Sequence, residues 1–590
     1  MRHLDSLFIH FLLLTAFLMQ SSLAADVSTE WNALLSADEH PENWATHHGT
    51  LDGQRFSRLT EINKDTVKDL KMAFTFSVGG LGGGGGWEHG GLEGTPIAED
   101  GFLYITDGWG SVYKLDIRRN GKLVWKMDPD TDRDWAGTVT CCGVDNRGVA
   151  LWRDKVISHA LDGRLIITNK ISGEIEQEIP VADPAIGETI TAAPLVIKDM
   201  AITGVAGGEF GIRGWINATD LVDGKRDWRF HTIPAPGEPG SETWKPGPEA
   251  HSIDAWKHGG GPTWITGSYD PVLNMIYWGV GNPGPDWDNA YRPGDNLYSN
   301  SVVALDADNG KIKWHFQYTP NDSYDFDGVN EQTLVDAEIH GKLTKAVLHA
   351  DRNGYAYALD RTNGKFLWGT SFVKQMTWTS GLDKYSGRPN DYDPTVDVQR
   401  YKPGTSPSRE ARESKSCPGN MGGKNWPPTS YDPDRNRYYI PVIESCALHV
   451  NVPQEGAWKA REFWLGGAPK MGPVITGSIT AMDVNTGKVV GKHETPYPML
   501  GGLLATKGGL IFAGRPEGKV VALDSDTLEE LWSFDTNTGL NAPPMSFAVD
   551  GKQYIAIMAG VGGAWPKWFI ASTPGLTEMQ PGQMLFVFAL

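Results

Sequence analysis

The stretch Ala304–Trp314 reads ALDADNGKIKW, and three other segments repeat its order of Ala, Asp, a turn and Trp. These are Ala218–Trp228 (ATDLVDGKRDW), Ala358–Trp368 (ALDRTNGKFLW) and Ala522–Trp532 (ALDSDTLEELW). Weaker copies occupy Lys114–Trp125, Ile167–Gln177 and Ala481–Gly491. In each copy a β-rich run ends at a polar residue, an Asx-type turn reverses the chain, and a second run begins. The pattern therefore predicts a series of β-hairpins, most of them carrying a tryptophan.

Such hairpins cannot bury their faces alone, and antiparallel units repeated at intervals of about 40 residues or more are typical of propeller blades. Leu70–Val78 and the terminal strand Met584–Ala589 can supply one more blade by pairing the two chain ends. We therefore expect an all-β, eight-bladed β-propeller with tryptophan-docking repeats, formed by residues 26–590 as one domain. Seven blades is the alternative.

The N-terminus has the features of a secretory signal. Arg2 precedes an apolar run from Leu7 to Met19, and Ser22-Leu23-Ala24 offers a small-residue cleavage site. We expect residues 1–25 to be a cleavable signal peptide and the mature protein to be exported, with a bacterial periplasm fitting best. No later stretch approaches the roughly 18 apolar residues of a membrane span, so we expect the mature protein to be soluble. An uncleaved N-terminal anchor is the alternative.

Charge and motifs exclude several classes of function. A formal net charge of −19 argues against nucleic acid as a partner and favours a basic one. The run Gly79–Gly86 contains GxGxxG, but no βαβ unit surrounds it, so we interpret it as a loop. Neither an HExxH motif nor the attachment motif of a c-type haem is present.

The chain has four cysteines, and Cys141 and Cys142 are adjacent. A bond between neighbours closes a strained eight-membered ring, since adjacent alpha carbons lie about 3.8 Å apart. Strain of this kind is typical of functional sites. Separate pairing of Cys141 and Cys142 with Cys417 and Cys446 is equally compatible with the sequence, because four cysteines allow three connectivities.

Nearly the whole mature chain resembles the quinoprotein methanol and ethanol dehydrogenases, which use pyrroloquinoline quinone (PQQ). The motifs that carry the resemblance begin at Glu93 (EGTP), Cys141 (CCGVDNR), Gly207 (GGEFGIRG), Gly281 (GNPGP), Asp325 (DFDGVNE), Asp351 (DRNG) and Gly422 (GGKNW). The resemblance implies an eight-bladed propeller, a Cys141–Cys142 disulfide over one face of the cofactor, and a structural Cys417–Cys446 bridge.

A buried tricarboxylated quinone needs a flat floor, a roof and partners for its carboxylates. The resemblance implies Trp264 as the floor, Arg147 and Thr191 as carboxylate contacts, and Arg352 beside the quinone oxygens. The other cofactor contacts implied are Glu93, Gly207, Gly208, Asn425, Trp426 and Trp565. A tryptophan such as Trp264 would otherwise be interpreted as one more blade residue.

Glu209 and Asn282 supply the oxygen ligands that a hard cation prefers. Asp325 and Asp327 are two residues apart, so in an extended backbone both carboxylates would face one side and favour a cation between them. The resemblance implies that Asp325 is the general base or holds the metal. Asp327 is typical of the lanthanide-dependent members, and its extra charge favours a trivalent over a divalent ion.

These expectations describe a periplasmic enzyme that oxidises primary alcohols to aldehydes and passes electrons to a separate soluble cytochrome c. A homodimer is possible. The alternatives are a calcium-dependent alcohol dehydrogenase, a sugar or polyol dehydrogenase on the same propeller, and a non-catalytic scaffold propeller, which would have no reason to keep Glu209, Asn282, Asp325 and Arg352 together.

Overall fold

The computed structural model describes residues 31–472, 475–563, 572–576 and 579–590, so the expected signal peptide and Trp565 lie outside the described residues. In chain order the strands are β1 (Phe56–Ser57), β2 (Lys71–Ser77), β3 (Ile97–Glu99), β4 (Phe102–Thr106), β5 (Val112–Asp116), β6 (Lys122–Met127), β7 (Ala150–Trp152), β8 (Lys155–His159), β9 (Arg164–Asn169), β10 (Ile175–Pro180), β11 (Leu195–Ile197), β12 (Met200–Gly204), β13 (Trp215–Asp220), β14 (Arg226–His231), β15 (Ser268–Asp270), β16 (Met275–Val280), β17 (Ser301–Asp306), β18 (Ile312–Gln317), β19 (Thr333–Ile339), β20 (Lys342–Ala350), β21 (Tyr355–Asp360), β22 (Phe366–Ser371), β23 (Glu413–Ser416), β24 (Ser430–Asp432), β25 (Arg437–Glu444), β26 (Ala447–Asn451), β27 (Gly467–Met471), β28 (Thr476–Asp483), β29 (Lys488–Thr495), β30 (Leu503–Thr506), β31 (Leu510–Gly514), β32 (Lys519–Asp524), β33 (Glu530–Asp535), β34 (Met545–Val549), β35 (Lys552–Ala559) and β36 (Met584–Ala589).

The strands form an all-β, propeller-type architecture. Within the described residues, eight sheets contain four antiparallel strands each. Sheet 1 has the strand order β2-β36-β35-β34. Sheets 2 to 6 consist, in turn, of β3–β6, β7–β10, β11–β14, β15–β18 and β19–β22. Sheet 7 consists of β24, β25, β28 and β29, and sheet 8 consists of β30–β33 with β1 added in parallel. β23, β26 and β27 form a separate three-stranded sheet, called here the capping sheet. Its first strand lies between sheets 6 and 7 in the chain, and its other two strands are inserted between β25 and β28 of sheet 7.

The helices are short. Residues 31–35 are α-helical, and a further α-helical turn covers Arg133–Ala136. The 3-10 turns cover Ala37–Glu39, Val67–Asp69, Ile117–Arg119, Gly137–Val139, Pro184–Ile186, Gly208–Phe210, Ser241–Thr243, Ala250–His258, Asn289–Tyr291 and Pro574–Leu576. Across the described ranges, none of the helices has the length and apolar character that crossing a membrane requires.

The predicted pairing of the chain ends is confirmed. β2 runs antiparallel to β36, with Phe76 opposite Leu585. The pairing brings strands about 500 residues apart in the chain into one sheet and leaves neither terminal strand without a partner.

Each predicted hairpin is also confirmed as the last two strands of a sheet, and the repeat residues have defined roles. In sheet 6, Ala358 lies opposite Trp368, and a bulge follows between Ala358 and Leu359. The Asp360 side chain accepts a hydrogen bond from the amide of Thr362 at 2.9 Å, and its carbonyl accepts one from Gly364 at 2.7 Å. The Asp of the repeat therefore builds the turn, while the small Ala leaves room for the tryptophan.

Each repeat tryptophan packs across the gap onto the next sheet. The Trp314 indole N–H donates to the carbonyl of Arg361 at 3.1 Å. Beneath its ring lies Gly364, with φ +76°, where a Cβ would come within 2.6 Å of the ring. The turn glycine of one repeat is thus required by the tryptophan of the preceding repeat. The same contact pairs Trp125 with Gly173, Trp228 with Gly310 and Trp368 with Gly487.

The junction of sheets 7 and 8 reverses this arrangement. Gly491 occupies the tryptophan position, and Leu528, with φ +62°, occupies the glycine position of the next repeat. Leu528 is buried, and a Cβ on Gly491 would lie 3.3 Å from its Cδ1. The leucine fills the space that a tryptophan fills elsewhere, so the two departures from the repeat compensate each other.

Candidate active site

The candidate residues emerge at one end of the sheets. In an antiparallel sheet, the connection between the second and third strands and the connection to the next sheet leave from the same end. Glu209, Asn282 and Arg352 lie in connections of the first kind, in sheets 4, 5 and 6. Glu93, Cys141, Cys142, Arg147, Thr191, Trp264, Asp325, Asp327, Asn425 and Trp426 lie in connections between sheets. The hairpin turns of the repeats occupy the opposite end.

The disulfides match the pairing implied by the family. Cys141 is bonded to Cys142, and Cys417 to Cys446. The Cys141–Cys142 pair lies over the site, because a Glu209 carboxylate oxygen is within 4.8 Å of both sulfurs. As the sulfurs are bonded to each other, they do not offer thiolates to a metal. The Cys417–Cys446 bridge joins the start of β26 to the loop after β23.

Arg147 is the centre of one polar cluster. Its Nη2 lies 2.6 Å from Glu93 Oε2 and 3.1 Å from Asp145 Oδ2, and its Nη1 donates to Thr191 Oγ1 at 2.8 Å. The guanidinium carbon lies 4.9 Å from the ring centres of both Trp264 and Trp426. The predicted carboxylate contacts Arg147 and Thr191 are thus brought together beside the predicted floor.

Arg352 is the centre of the second cluster. Its Nη2 lies 2.9 Å from Asp327 Oδ2, and its Nη1 lies 3.7 Å from Asp325 Oδ1. Its guanidinium carbon is 5.8 Å from the Trp264 ring centre. One indole ring therefore lies against two arginines, an arrangement that fits a flat, acidic aromatic group stacked on Trp264 with its anionic edges toward both.

The backbone at Asp325 and Asp327 differs from the expectation of extended chain. Both residues have positive φ, +63° and +25°. Their carboxylates nevertheless share Arg352, because the segment turns sharply where it leaves β18 toward β19 rather than running as a strand. Convergence of the two carboxylates was predicted correctly, but for the wrong geometric reason. Aspartate tolerates left-handed backbone better than most residues, and such strain is concentrated at active sites.

Asn282 presents a side chain without partners. Its backbone N–H donates to Asp327 Oδ1 at 3.1 Å, whereas its amide Oδ1 and Nδ2 are buried and bonded to no other described residue. A buried amide of this kind ordinarily has a hydrogen-bond partner or binds an ion. Its position beside Asp327 fits the amide oxygen of a cation site, with Glu209, Asp325 and Asp327 as the carboxylates.

The electrostatics of these carboxylates favour a cation. Burial, with the Asp327 charge, raises the pKa of Glu209 to about 7. Burial also raises the pKa of Asp325 well above its usual range, opposed by Arg352 and reinforced by Asp327 and Glu209. The pKa of Asp327 is raised by burial and opposed by Arg352. A cation bound among them would remove this mutual repulsion.

Glu209 is held by a segment that sequence reasoning missed. Residues 452–466, which connect β26 to β27 and are called the strap here, cross the Gly208–Phe210 turn. The Trp464 amide donates to the Glu209 carbonyl at 2.7 Å, and the Trp458 indole donates to the Phe210 carbonyl at 2.7 Å. Trp458 stacks on His258 with ring centres 4.1 Å apart. The aromatic residues were not recognised because their partners lie about 250 residues away.

The turn itself explains the predicted glycines. Gly207 has φ +117°, and a Cβ there would lie 2.2 Å from the Gly187 carbonyl oxygen. At Gly208 a Cβ would meet the Pro262 ring at 2.8 Å. Both glycines therefore let the backbone approach its neighbours and aim Glu209 into the site, which is a positional role; no contact from them to a ligand is needed to explain them.

Asn425 and its neighbour Lys424 belong to the loop that places Trp426 beside Arg147. The Asn425 side chain is engaged locally, donating to the Met421 carbonyl at 3.1 Å and accepting from the Trp426 amide at 2.9 Å. Lys424, fully buried, pairs with buried Glu331 at 2.8 Å. This ion pair, which the motif did not reveal, fixes the loop that presents Trp426.

Asp286 is a second acidic residue that sequence reasoning missed. It is buried, and its Oδ1 has no hydrogen-bond partner among the described residues. Burial, followed by the charges of Asp325 and Glu209, raises its pKa well above the usual range. It follows Asn282 by only four positions, so the signal available in the sequence was an additional Asp in the GNPGPD run.

Comparison with known proteins identifies the family. The sequence profile of the glucose/ethanol/alcohol dehydrogenase PQQ β-propeller domain matches residues 44–377 and 474–555. The quinoprotein alcohol dehydrogenase PedH of Pseudomonas putida is 38% identical over 98% of this chain and 96% of its own length, and the putative dehydrogenase XoxF of Paracoccus denitrificans is 34% identical over 92% and 91%.

A similar solved structure supports the same family assignment. The structure of a europium-containing methanol dehydrogenase superposes with a TM-score of 0.85 at 31% identity, covering 95% of this chain and all of that one. With its paired arginines against one indole, its adjacent-cysteine disulfide and its carboxylate-amide cluster, this chain belongs to the PQQ-dependent alcohol dehydrogenase family.

Proposed function

We propose that the protein oxidises primary alcohols to aldehydes with PQQ and a lanthanide ion. The observation that carries the metal assignment is the buried, unpartnered side-chain amide of Asn282, whose backbone N–H donates to Asp327 Oδ1 at 3.1 Å. Burial raises the pKa of Asp325, and the charges of Asp327 and Glu209 raise it further, so the three carboxylates interact electrostatically. A third carboxylate strengthens the attraction for a trivalent ion more than for a divalent one. The europium in the similar methanol dehydrogenase supports the same choice. Calcium is the alternative ion.

The residues of the site divide into those that would hold the cofactor and those that would take part in the reaction. Trp264 would lie under the cofactor, the Cys141–Cys142 disulfide over it, and Arg147 with Thr191 would bind its carboxylates. When bound, PQQ supplies a two-electron acceptor for hydride, and the cation polarises its reactive carbonyl. Arg352 also lies near Trp264, with its guanidinium carbon 5.8 Å from the ring centre, where it would stabilise negative charge that develops on oxygen.

Asp325 is the candidate base for the alcohol. It is the more accessible of the two paired aspartates, with 16% of its side chain exposed against 2% for Asp327. In the proposed reaction its carboxylate accepts the hydroxyl proton while hydride leaves the alcohol carbon, which gives the aldehyde. Asp327, buried and paired with Arg352, holds the arginine and the cation in place.

Several finer features complete the proposal. The eight sheets form an eight-bladed ring closed by the β2–β36 pair. In support, tryptophans reach the next sheet from sheets 2, 4, 5, 6 and 8, and Leu528 fills the junction of sheets 7 and 8. Phe74 against Gly121 and Gln177 against Gly224 take the place of the tryptophan at sheets 1 and 3. Residues 26–590 are one propeller domain after removal of a signal peptide at 1–25, and the enzyme works in the periplasm. Electrons leave to a soluble cytochrome c with a basic surface, which the net charge of −19 would attract. Homodimerisation is part of the same proposal.

The first experiment is dye-linked oxidation of methanol and ethanol by purified protein reconstituted with PQQ. Lanthanum is compared with calcium, and metal-free protein is the blank. Activity with lanthanum alone is expected. Activity with calcium alone would keep the enzyme class and contradict the metal assignment, whereas no activity with either ion would favour the sugar or polyol reading or a scaffold role.

A further inference from the structure

Glu93, Asp145 and Arg147 form a buried group with more acid than base. The exposed fraction of each residue is below 8%. Both carboxyl groups lie against the same Arg147 nitrogen, Nη2, at 2.6 and 3.1 Å. The two buried carboxyl groups therefore meet at one guanidinium nitrogen. Two ionised carboxylates held this close in a buried site repel each other, and one proton on the pair removes that repulsion.

The charge balance leads to the same conclusion. With both carboxylates ionised, the group would carry a net charge of −1 at the place where the cofactor's carboxylates must bind. With one proton it is neutral, and Arg147 keeps its attraction for an anion. Burial and the Asp145 charge raise the pKa of Glu93 to about 8, and burial raises the pKa of Asp145 to about 6. The proton is therefore present at neutral pH.

The surroundings contain no other acid that could take over this role among the described residues. Thr191 lies on the Nη1 side of Arg147, and the rings of Trp264 and Trp426 flank the guanidinium. Behind Arg147 lies His47, whose pKa is lowered by burial and by His48, Arg55 and Arg147, so its ring is neutral. The Arg352 guanidinium carbon lies 5.8 Å from the Trp264 ring centre. Asp145 Oδ1 and Arg147 Nε are buried without partners.

We infer that Glu93 and Asp145 hold one proton between them, that Asp145 is a positioning residue that keeps Glu93 protonated, and that binding of the tricarboxylate cofactor beside them draws further proton onto the pair. This rests on the proposed function. The pair is a proton-linked part of the carboxylate-binding edge, which makes cofactor affinity fall as pH rises through the range in which the free pair loses its proton.

The test is titration calorimetry of PQQ into lanthanum-loaded apoprotein, at pH values from 6 to 9, in buffers with different ionisation enthalpies. The dependence of the heat on buffer gives the number of protons taken up. Carboxylates of the cofactor itself remain ionised over this range. Wild-type protein should take up about half a proton or more near pH 8, where the pair is half deprotonated.

Asp145→Asn keeps a side chain of the same size beside Arg147 Nη2 but removes the charge next to Glu93. The maximum of proton uptake should then move to lower pH, and uptake near pH 8 should vanish. Glu93→Gln, which removes the titrating group, should abolish the uptake throughout. Exposed Asp134→Asn, in the same connection between sheets, is the matched control and should behave as wild type.

Binding by wild type without proton uptake at any pH would overturn the inference and leave the proposed function intact. An uptake profile unchanged in Asp145→Asn, or retained in Glu93→Gln, would also overturn it. Absence of PQQ binding by wild type at every pH would contradict the proposed function itself. The wild-type measurement stands even if a variant fails to fold, which circular dichroism reveals.

Discussion

At the scale of single residues, each arginine of the site is paired with two carboxylates. Arg352 is shared by Asp325 and Asp327, and Arg147 by Glu93 and Asp145. In each cluster the buried acid exceeds the buried base. The excess near Arg352 fits a cation, because Asn282 contributes an unpartnered amide there. The excess near Arg147 fits a proton, because its two carboxyl groups meet at one guanidinium nitrogen.

Asp327→Ala tests the metal cluster. The variant removes the carboxylate that pairs with Arg352 and that accepts from the Asn282 amide. We expect lanthanum-supported turnover to fall by about a hundredfold or more, with the fold retained, because loss of even an indirect metal contact costs about 10- to 100-fold. Turnover and terbium luminescence titration measure the effect. Exposed Asp308→Ala, at the other end of sheet 5, is the control, and undiminished lanthanum activity in Asp327→Ala would refute the assignment.

At the scale of elements, the hairpin repeat is a device for joining sheets. The tryptophan of one hairpin leaves no room for a side chain at the turn glycine of the next hairpin, so a tryptophan in one repeat requires a glycine in the following repeat. Gly491 and Leu528 demonstrate this coupling, since both depart from the pattern at a single junction. The strap is the second important element, because it binds the Glu209 turn through the carbonyls of Glu209 and Phe210 and through the stacking of Phe463 on the Phe210 ring.

A double-mutant cycle at the junction of sheets 7 and 8 tests this coupling. Gly491→Trp alone should destabilise the protein because the indole meets Leu528, and Leu528→Gly alone should destabilise it by opening a cavity. The double variant restores the repeat pattern and should recover stability, with a coupling of about 1 to 3 kcal/mol. Melting temperatures at one scan rate measure it. Purely additive effects would show that the two positions do not compensate.

Trp458→Ala tests the strap. Without its indole, the hydrogen bond to the Phe210 carbonyl and the stacking on His258 are lost, and the Glu209 turn is less firmly held. Lanthanide affinity should fall about tenfold, as for other residues that orient a metal ligand. Trp458→Phe should retain part of the stacking and give an intermediate value. Exposed Tyr385→Ala is the control; equal affinity in Trp458→Ala and control would exclude a positioning role.

At the scale of the whole molecule, structural and functional residues lie at opposite ends of the sheets. Hairpin turns occupy one end of the sheets, and the connections that carry chemistry occupy the other. Buried histidines between the sheets connect stability to pH. His159 bonds to the Ala192 carbonyl and to Thr203 Oγ1, both at 3.0 Å, and burial lowers its pKa to about 4. Burial lowers the pKa of His449 to about 4 as well.

These histidines predict how stability depends on pH. Their folded pKa lies below the unfolded value of about 6.5, so the unfolded chain binds protons first as pH falls. Stability should therefore decline from about pH 6.5 down to about pH 4, by about 3 kcal/mol for each such group. Melting temperatures of wild type and His159→Gln across this range measure it. The variant should show a shallower decline, and parallel profiles would assign the acid sensitivity to other groups.

The sequence by itself determined the local chemistry of this protein. Alternation, Asx turns and the Ala-to-Trp spacing are short-range properties, so the hairpins and the pairing of the chain ends could be predicted from them. The motif residues Glu209, Asn282, Asp325, Asp327, Arg352 and Arg147 were recognised because each stands in a short signature. Adjacent Cys141 and Cys142 left their pairing open until the family resemblance indicated it.

Only the tertiary structure decided which of these residues share a partner. Trp458 meets Phe210 across 248 residues, and Arg147 meets Glu93 across 54. Asp145 and Asp286 stand in or beside recognised motifs, but their roles depend on burial and on neighbours supplied by other sheets and were not predicted. The strap carries no motif. Even the meeting of Asp325 and Asp327 required left-handed backbone that no periodicity predicts. The alternation of side chains along one strand is local and leaves a pattern in the sequence. Burial and the sharing of one charge by two partners arise between distant segments, so they appear only when the sheets have packed.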